Sequence, residues 1–187
     1  MPDPRLLVER LDSEDSATAS HGRAVARWCS RMAQYLRLPS GEQARIVRAG
    51  QILDVGKLLV PDELLRAARP LLAAERITVA EHVVEGERLL AEYGLLEYRD
   101  GVRFHHERYD GHGYPDGLCG SAIPLAARII AVADSYVAMT GQRPYRFPMT
   151  PDRALLEIER GRGRQFDPAI VDVMVAVVGD SQRSIAV

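Results

Sequence analysis

Apolar residues recur at helical spacing along this chain, and no run of residues alternates convincingly as a β-strand. Between about residues 16 and 36, for example, they fall at Val25, Trp28, Cys29, Met32, Ala33 and Leu36. Aromatic residues make up only 6% of the chain, and Leu, Ala, Val, Ile and Arg dominate, which favours helices over sheets. The pattern predicts an all-α fold.

Cap and turn signals divide the chain into helices. Ser40-x-x-Gln43 and Thr78-x-x-Glu81 each fit a capping box, the arrangement that opens a helix. Residues 1–12 are interpreted as an N-terminal arm or a short helix. The other predicted helices cover about residues 16–36, 40–58, 61–67 (a short turn), 78–93, 95–106, 124–140, 150–161 and 167–179. They predict a single bundle of about seven helices over residues 1–187.

Length, charge and cysteine content exclude several classes of protein. The 187 residues suit one domain, and the formal charge of −2 argues against a nucleic-acid polymer as partner. Cys29 and Cys119 form no C-x-x-C pair, and the N-terminus has no apolar run fit for a signal peptide. The most apolar stretch, residues 123–139, contains Arg128 and Asp134 and is too short and polar for a membrane span. We therefore expect a cytoplasmic protein with no membrane contact.

The stretch from Phe104 to Met139 is the part of the chain that is richest in functional residue types. It begins with the adjacent histidines His105 and His106 and ends in an apolar segment that carries Asp134. The loop between them is rich in glycine, with Gly111, Gly113, Gly117 and Gly120. Metal-favouring side chains, a loop that lets backbone approach a ligand, and an acid on an apolar face together predict a site here.

Two acids stand out because apolar residues surround them. On a helix, Asp134 shares its face with Ala127, Ile130, Ala131 and Ala138. An acid there is costly unless it is paired or bound to a metal, so the alternatives are a functional role or a salt bridge to a buried arginine. Asp54 lies in I-L-D-V-G-K and is also expected inside, either as a functional acid or as a helix-end acid paired with Lys57.

Single histidines are weaker signals than these acids. His21 and His82 could each be an ordinary core or surface residue. His105 and His106 would point about 100° apart on a regular helix, so they can serve one site only if they lie near a helix end. The alternative for this pair is a plain surface location, and His112 in the loop could simply be solvent-exposed.

Taken together, these side chains suit a metal centre. Imidazoles and carboxylates from four or five different helices fit a one- or two-metal site inside a bundle. Mixed nitrogen and oxygen ligands favour iron or manganese over structural zinc. Such a centre activates water and holds phosphoryl oxygens for in-line attack.

The run from His105 to Pro124, H-H-E-R-Y-D-G-H-G-Y-P-D-G-L-C-G-S-A-I-P, resembles the HD-GYP signature H-H-E-x-x-D-G-x-G-Y-P-x-G-L-x-G-x-x-I-P. The likeness continues through A-R-I-I-A-V-A-D, Q-R-P-Y-R and G-R-Q-F-D-P, and covers roughly His21 to the C-terminus. HD-GYP domains are all-helical, cytoplasmic, bacterial phosphodiesterases of the HD superfamily. They hydrolyse cyclic di-GMP to pGpG and often to GMP, with two or three metals that are commonly iron or manganese.

The resemblance implies a role for each matching residue. It makes Asp54 and Lys57 the catalytic pair, with Asp54 bridging two metals and Lys57 near the scissile phosphate. The other implied metal ligands are His82, His105 and His106 for the second metal, and His21 and Asp134 for the first. The implied substrate-binding residues are Lys57, Arg143, Arg146 and the loop Gly113-Tyr114-Pro115, which is expected to contact the ligand or a partner domain.

Three positions depart from the family pattern. Leu53 stands where the namesake histidine of the His-Asp pair is expected, and leucine cannot bind a metal. Ala17 stands where members with three metals carry Glu, and Val137 replaces a second acid after Asp134. A third metal is therefore not expected, and the first metal is expected to bind weakly, so the cofactor is one or two divalent ions.

Two functions remain open at this point. The chain could be a weak cyclic di-GMP phosphodiesterase, or a degenerate domain that acts as a cyclic di-GMP receptor or a protein-interaction module. An empty helical scaffold is less favoured, because Lys57, Arg143, Arg146 and most ligands are present. The resemblance also suggests a diguanylate cyclase or an adaptor protein as a partner at the GYP loop, and it admits a homodimer.

Overall fold

The computed structural model describes residues 4–142 and 147–185. Its α-helices are α1 (Pro4–Glu14), α2 (Ser16–Tyr35), α3 (Ser40–Gln51), α4 (Asp62–Leu65), α5 (Ala73–Ala80), α6 (His82–Glu92), α7 (Arg99–Phe104), α8 (Leu125–Thr140), α9 (Pro151–Arg160) and α10 (Pro168–Ile185). Short 3-10 turns cover Val55–Leu59, Leu96–Tyr98 and Gly120–Ala122. These ranges include no β-strand, and seven of the helices have ten or more residues. The prediction of an all-α bundle of about seven helices is confirmed.

The main core lies between α2, α3, α8, α9 and α10. Each of these helices turns an apolar stripe inward, as the helical spacing predicted. Its members include Met32 of α2, Ile46 of α3, Ile130 of α8, Ile158 of α9 and Val171 of α10. Full burial of such a side chain contributes about 1.5–3 kcal/mol, so this core holds the five helices in place.

A second apolar cluster fixes the N-terminal helix. The helix α1 covers most of the segment interpreted as an arm or short helix, and its Leu7 packs with Ile52, Leu89 and Leu95. This contact ties α1 to the segment after α3 and to α6. None of the helices in the described ranges is both long and apolar enough to cross a bilayer.

Several predicted helix ends were wrong. The predicted start at Thr78 lies inside α5, where the Thr78 hydroxyl donates to the carbonyl of Ala74 at 3.4 Å. The capping interaction is made by Glu75, whose carboxylate accepts the N–H of Leu72 at 2.8 Å. A capping box in the sequence is ambiguous here because an acid or hydroxyl at helical spacing can also lie within a helix.

The other differences concern single caps and helix lengths. Pro39, not Ser40, is the N-cap of α3, and Gln43 donates its side-chain N–H to Leu38 O at 2.7 Å. The helix α3 stops at Gln51 instead of continuing to 58, and α10 continues beyond 179. At the start of α10 the predicted cap is confirmed, since Asp167 accepts the N–H of Ala169 at 2.8 Å.

Candidate metal centre

Gly56, two residues after Asp54, permits the close packing that positions Asp54. Asp54 is the N-cap of the 3-10 turn Val55–Leu59, and this turn packs directly on the first turn of α6. A Cβ atom on Gly56 would lie 1.9 Å from the carbonyl oxygen of His82 and 2.5 Å from the N atom of Gly86, so only glycine permits this approach. The close packing brings the carboxylate of Asp54 to the imidazole of His82, the first residue of α6.

The adjacent histidines reach the same point because their helix ends before them. The helix α7 stops at Phe104, and His105 is its C-cap. The ring centroids of His105 and His106 lie 4.1 Å apart, and those of His82 lie 5.5 Å from His105 and 5.1 Å from His106. Asp54 and the three histidines each offer a ligand atom, and all four atoms lie within 4.8 Å of one another. Within the described ranges this is the one group of its kind.

Hydrogen bonds to the backbone fix the tautomers of two of these histidines. The Nδ1 atom of His82 lies 2.7 Å from the carbonyl oxygen of Val79, and that of His105 lies 2.9 Å from the carbonyl oxygen of Val102. A carbonyl oxygen can only accept, so Nδ1 carries the proton and Nε2 carries the lone pair. This is the arrangement that orients a histidine as a metal ligand through Nε2.

The two Nε2 atoms then face a carboxylate without a hydrogen bond. Both are buried and have no hydrogen-bond partner among the described residues, and they lie 3.2 Å (His82) and 3.8 Å (His105) from Oδ1 of Asp54. Lone pairs directed at an anionic oxygen in a buried site are unfavourable unless a cation lies among them. The donor set of three imidazoles and one carboxylate therefore fits a divalent metal ion.

Burial and charge keep these groups in the protonation state that metal binding needs. Burial, with the neighbouring imidazoles, lowers the pKa of His105 well below its usual range, and burial lowers the pKa of His106 to about 4. Burial by itself would raise the pKa of Asp54, but the charge of Lys57 holds it well below its usual range. Neutral imidazoles at His105 and His106 and an ionised carboxylate at Asp54 are ready to bind a metal ion at neutral pH.

Lys57 distinguishes the two oxygens of Asp54. Its ammonium group donates to Oδ2 at 2.7 Å, whereas Oδ1 faces the histidines. Burial disfavours the charged lysine, but the Asp54 carboxylate outweighs burial and raises the lysine pKa. The predicted pairing of Asp54 with Lys57 is thus present together with the histidine cluster.

His21 and Asp134 lie beside this cluster and not within it. They face each other from α2 and α8, with His21 Nε2 2.6 Å from Asp134 Oδ1. Among the described residues, Asp134 therefore pairs with a histidine, whereas the alternative considered was a buried arginine. Both residues share a cleft of about 430 Å³ with Asp54, Lys57 and His106.

The cleft is also lined by small and polar residues that the sequence analysis did not assign to the site, namely Thr18, Ala138 and Gln142, together with Ala17. Helical spacing could have found two of them, since Thr18 precedes His21 by one turn and Ala138 follows Asp134 by one turn. Gln142 follows the end of α8 and carried no such signal.

Two of the three departures from the family pattern lie in the main core, whereas the third, Ala17, lines the cleft. Leu53 is fully buried in the main core, and Val137 belongs to the same core. Neither side chain lines the cleft. Arg143 and Arg146, the expected phosphate-binding residues, lie outside the described residues.

The Gly113-Tyr114-Pro115 loop packs behind the cluster. The ring of Tyr114 stacks on the ring of His106 with centroids 4.9 Å apart, and the backbone N–H of Tyr114 donates to the carbonyl of His106 at 3.3 Å. A Cβ atom on Gly113 would lie 2.3 Å from the N atom of Arg108, which explains the glycine. The loop thereby supports His106, and it does not line the 430 Å³ cleft.

Glu107 holds this loop and was missed by the sequence analysis. Its buried carboxylate accepts the N–H groups of Asp116 at 2.7 Å and Leu118 at 3.0 Å. The available signal was an acid directly after two candidate ligands and before a loop rich in backbone donors.

Glu107→Ala is expected to destabilise the protein by about 3 kcal/mol, because it leaves two backbone N–H groups without their charged acceptor. For a chain of this size, that corresponds to a melting temperature lower by roughly 6–12 °C. Calorimetric melting of the metal-free protein measures the change, with the exposed Glu63→Ala on α4 as the matched control. A melting temperature equal to that of the wild type would show that the carboxylate does not hold the loop.

Comparisons with known proteins place the chain in a family. A family model described as HD domain matches residues 5–170. The chain is 38% identical over 173 residues to the cyclic di-GMP phosphodiesterase response regulator RpfG of Xanthomonas campestris, covering 90% of this chain and 46% of that protein. It is 32% identical over 172 residues to the 3'3'-cGAMP-specific phosphodiesterase 2 of Vibrio cholerae, covering 90% of this chain and 33% of that protein. The chain thus spans less than half the length of these curated relatives.

A solved structure shares the fold. The phosphodiesterase PgpH HD domain of L. monocytogenes, in complex with cyclic-di-AMP, superposes with a TM-score of 0.69 and 16% identity, covering 96% of each chain. The helical bundle is thus that of a known HD domain. Because the family model spans most of this sequence, the chain belongs to the HD domain family, as its resemblance to HD-GYP domains implied.

Proposed function

We propose that this chain is a metal-dependent phosphodiesterase domain that hydrolyses cyclic di-GMP to pGpG or GMP. The observation that carries the proposal is the pair of buried, unpartnered Nε2 atoms of His82 and His105 facing the Asp54 carboxylate. The relatives named as cyclic di-GMP phosphodiesterases support the substrate class.

In this proposal the chain's own groups bind and orient the phosphodiester. His82, His105, His106 and Oδ1 of Asp54 would hold a divalent ion, which when bound polarises a phosphoryl oxygen and lowers the pKa of water. Lys57 uses one N–H on Asp54 and keeps two donors for phosphate oxygens in the cleft. The His21–Asp134 pair shares that cleft and would pass a proton to the leaving oxygen.

We further propose that the site holds a single iron or manganese ion. Oδ2 of Asp54 is occupied by the ammonium group of Lys57, and Leu53 supplies no ligand. Nitrogen and oxygen ligands in this mixture suit iron or manganese.

Elemental analysis of protein reconstituted with iron or manganese should therefore give about one ion per chain. His21→Ala should leave this ratio unchanged while lowering turnover about 10- to 100-fold, since His21 acts on the proton and not on the metal. A ratio near two that falls to one in His21→Ala would contradict the single-ion site.

The direct test is turnover of cyclic di-GMP by protein purified without oxygen and reconstituted with iron or manganese. Chromatography of the products should show pGpG or GMP, with His105→Ala as the inactive reference. Intact cyclic di-GMP in a sample that demonstrably holds metal would contradict the proposed phosphodiesterase activity. Binding without turnover would then favour the receptor, the function to which the Leu53 departure points.

The same resemblance extends the proposal to partners and location. A diguanylate cyclase or an adaptor protein would dock at the loop Gly113-Tyr114-Pro115, the domain would work in the cytoplasm, and a homodimer is compatible with it. A pull-down with the loop variant Asp116→Ala, compared with the wild type, tests the docking.

A further inference from the structure

A second cavity opens from the wall of the metal cleft. It measures about 490 Å³ against about 430 Å³ for the metal cleft, and Ala17, Thr18 and Lys57 line both. Each volume lies within the range of about 300–1,000 Å³ that is typical of ligand sites. A ligand with a phosphate beside Lys57 can therefore extend from one cavity into the other.

The far end of the second cavity is formed by α4. The helix presents Asp62 and Leu65, and its C-cap Arg66 forms an ion pair with Asp62 at 3.2 Å. The side chains of this pair are 76% and 75% exposed, so water screens their attraction and both can turn to a ligand.

The other acids at this cavity already have partners. The carboxylate of Asp15 caps α2, since it accepts the N–H of Thr18 at 3.0 Å and its hydroxyl at 2.6 Å. Glu14 accepts from Arg10 at 2.9 Å. Asp62 differs from them because its partner, Arg66, also lines the cavity and the pair is highly exposed, so a ligand can engage both side chains.

We propose that the second cavity is a base subsite that selects guanine, and this inference rests on the proposed cyclic dinucleotide substrate. The guanidinium of Arg66 would donate to O6 and N7 of guanine, the bidentate pairing that arginine makes with this base. The carboxylate of Asp62 would accept from N1–H and the N2 amino group, and Leu65 offers an apolar surface to the ring. The phosphate joined to that nucleoside lies at Lys57, on the wall that the two cavities share.

Adenine does not match this pair of side chains. Its 6-amino group would place a donor against the Arg66 donors, and its N1 lone pair would face the Asp62 carboxylate. Because each mismatch leaves a polar group without a partner, the pair discriminates between the two bases as well as adding affinity.

The test measures affinity by calorimetry for cyclic di-GMP and cyclic di-AMP with the metal-reconstituted protein. The wild type should bind cyclic di-GMP more tightly, and Asp62→Ala and Arg66→Ala should each weaken that binding by roughly 10- to 100-fold. Binding of cyclic di-AMP should change little, so the preference largely disappears. The matched control is Glu63→Ala, the neighbouring exposed acid on α4 that does not line the cavity, and it should behave as the wild type.

Hydrolysis of bis(p-nitrophenyl) phosphate separates this inference from the proposed activity. This small diester has no base, so its hydrolysis by the wild type tests the diesterase without using the subsite, and Glu63→Ala should match the wild-type rate. No hydrolysis by the wild type would count against the enzyme, while the affinities would still decide the subsite. Two results would contradict the proposed guanine subsite. One is equal affinity of the wild type and both variants for cyclic di-GMP, and the other is a wild type that binds neither nucleotide.

Discussion

His105→Ala is expected to lower the affinity for iron or manganese by about 100-fold and to abolish turnover. His105 is buried, and its Nδ1 proton is donated to the carbonyl of Val102. None of the described residues donates a hydrogen bond to its Nε2 lone pair. Loss of a supporting group around a metal ligand already costs 10–100-fold in affinity, and loss of the ligand itself costs at least as much. Elemental analysis after dialysis, with a metal titration of the apoprotein, measures the effect.

The chain offers a matched control for this experiment. His112 lies in the nearby loop with its side chain 83% exposed, and its Nδ1 is 3.5 Å from the carboxylate of Asp110. His112→Ala removes the same group from the surface and should keep full metal content. Equal metal content in the wild type and in His105→Ala would contradict the proposed metal centre.

The metal-free protein should lose stability in mild acid. Burial lowers the pKa of His106 from the ordinary value of 6.5 to about 4, so between these values the unfolded chain binds a proton that the folded chain does not. A folded-state pKa that lies below the unfolded value makes folding less favourable as the pH falls through this window. The full effect corresponds to about 3 kcal/mol from His106 alone, and His105 acts in the same direction.

Urea unfolding at pH 7.5 and pH 5 in the presence of a chelator measures this dependence. The difference in free energy of unfolding should shrink in His106→Gln, which has no titrating group, and should persist in His112→Ala. Equal stability of the wild-type apoprotein at both pH values would mean that the imidazoles are more solvated than the structure shows. Bound metal should protect the protein, because it binds only the neutral imidazoles.

The helical class of the fold could be predicted because it is a local property. Apolar spacing in α2, α3 and α8 reports which face of each helix will be buried, whatever it packs against. Helix ends were less predictable, as Thr78 shows, because the same residue types that cap a helix also occur within one. The stop of α3 at Gln51 depends on packing of the next turn against α6, which no local signal contains.

The candidate site, like the fold, could be predicted in its residue types but not in its tertiary contacts. The residue types suggested a metal centre among the acids and histidines, because chemistry limits which side chains hold a metal, and the resemblance to HD-GYP domains grouped His82, His105 and His106 around one ion. The sequence could not show that Oδ2 of Asp54 is taken by Lys57, or that His21 and Asp134 pair beside the cluster. Nor could it show that Glu107 organises the loop, since both backbone donors lie nine or more residues away.

By itself, the sequence determined that this chain forms helices with an apolar stripe each and that it carries a metal-type donor set. Only the tertiary structure decided which donors converge, because convergence depends on the backbone contact at Gly56 and on the ends of α6 and α7. It also decided that the second cavity joins the metal cleft at Lys57, since the start of α2 meets the turn after Asp54 and α4 there although α2 is distant from both in sequence.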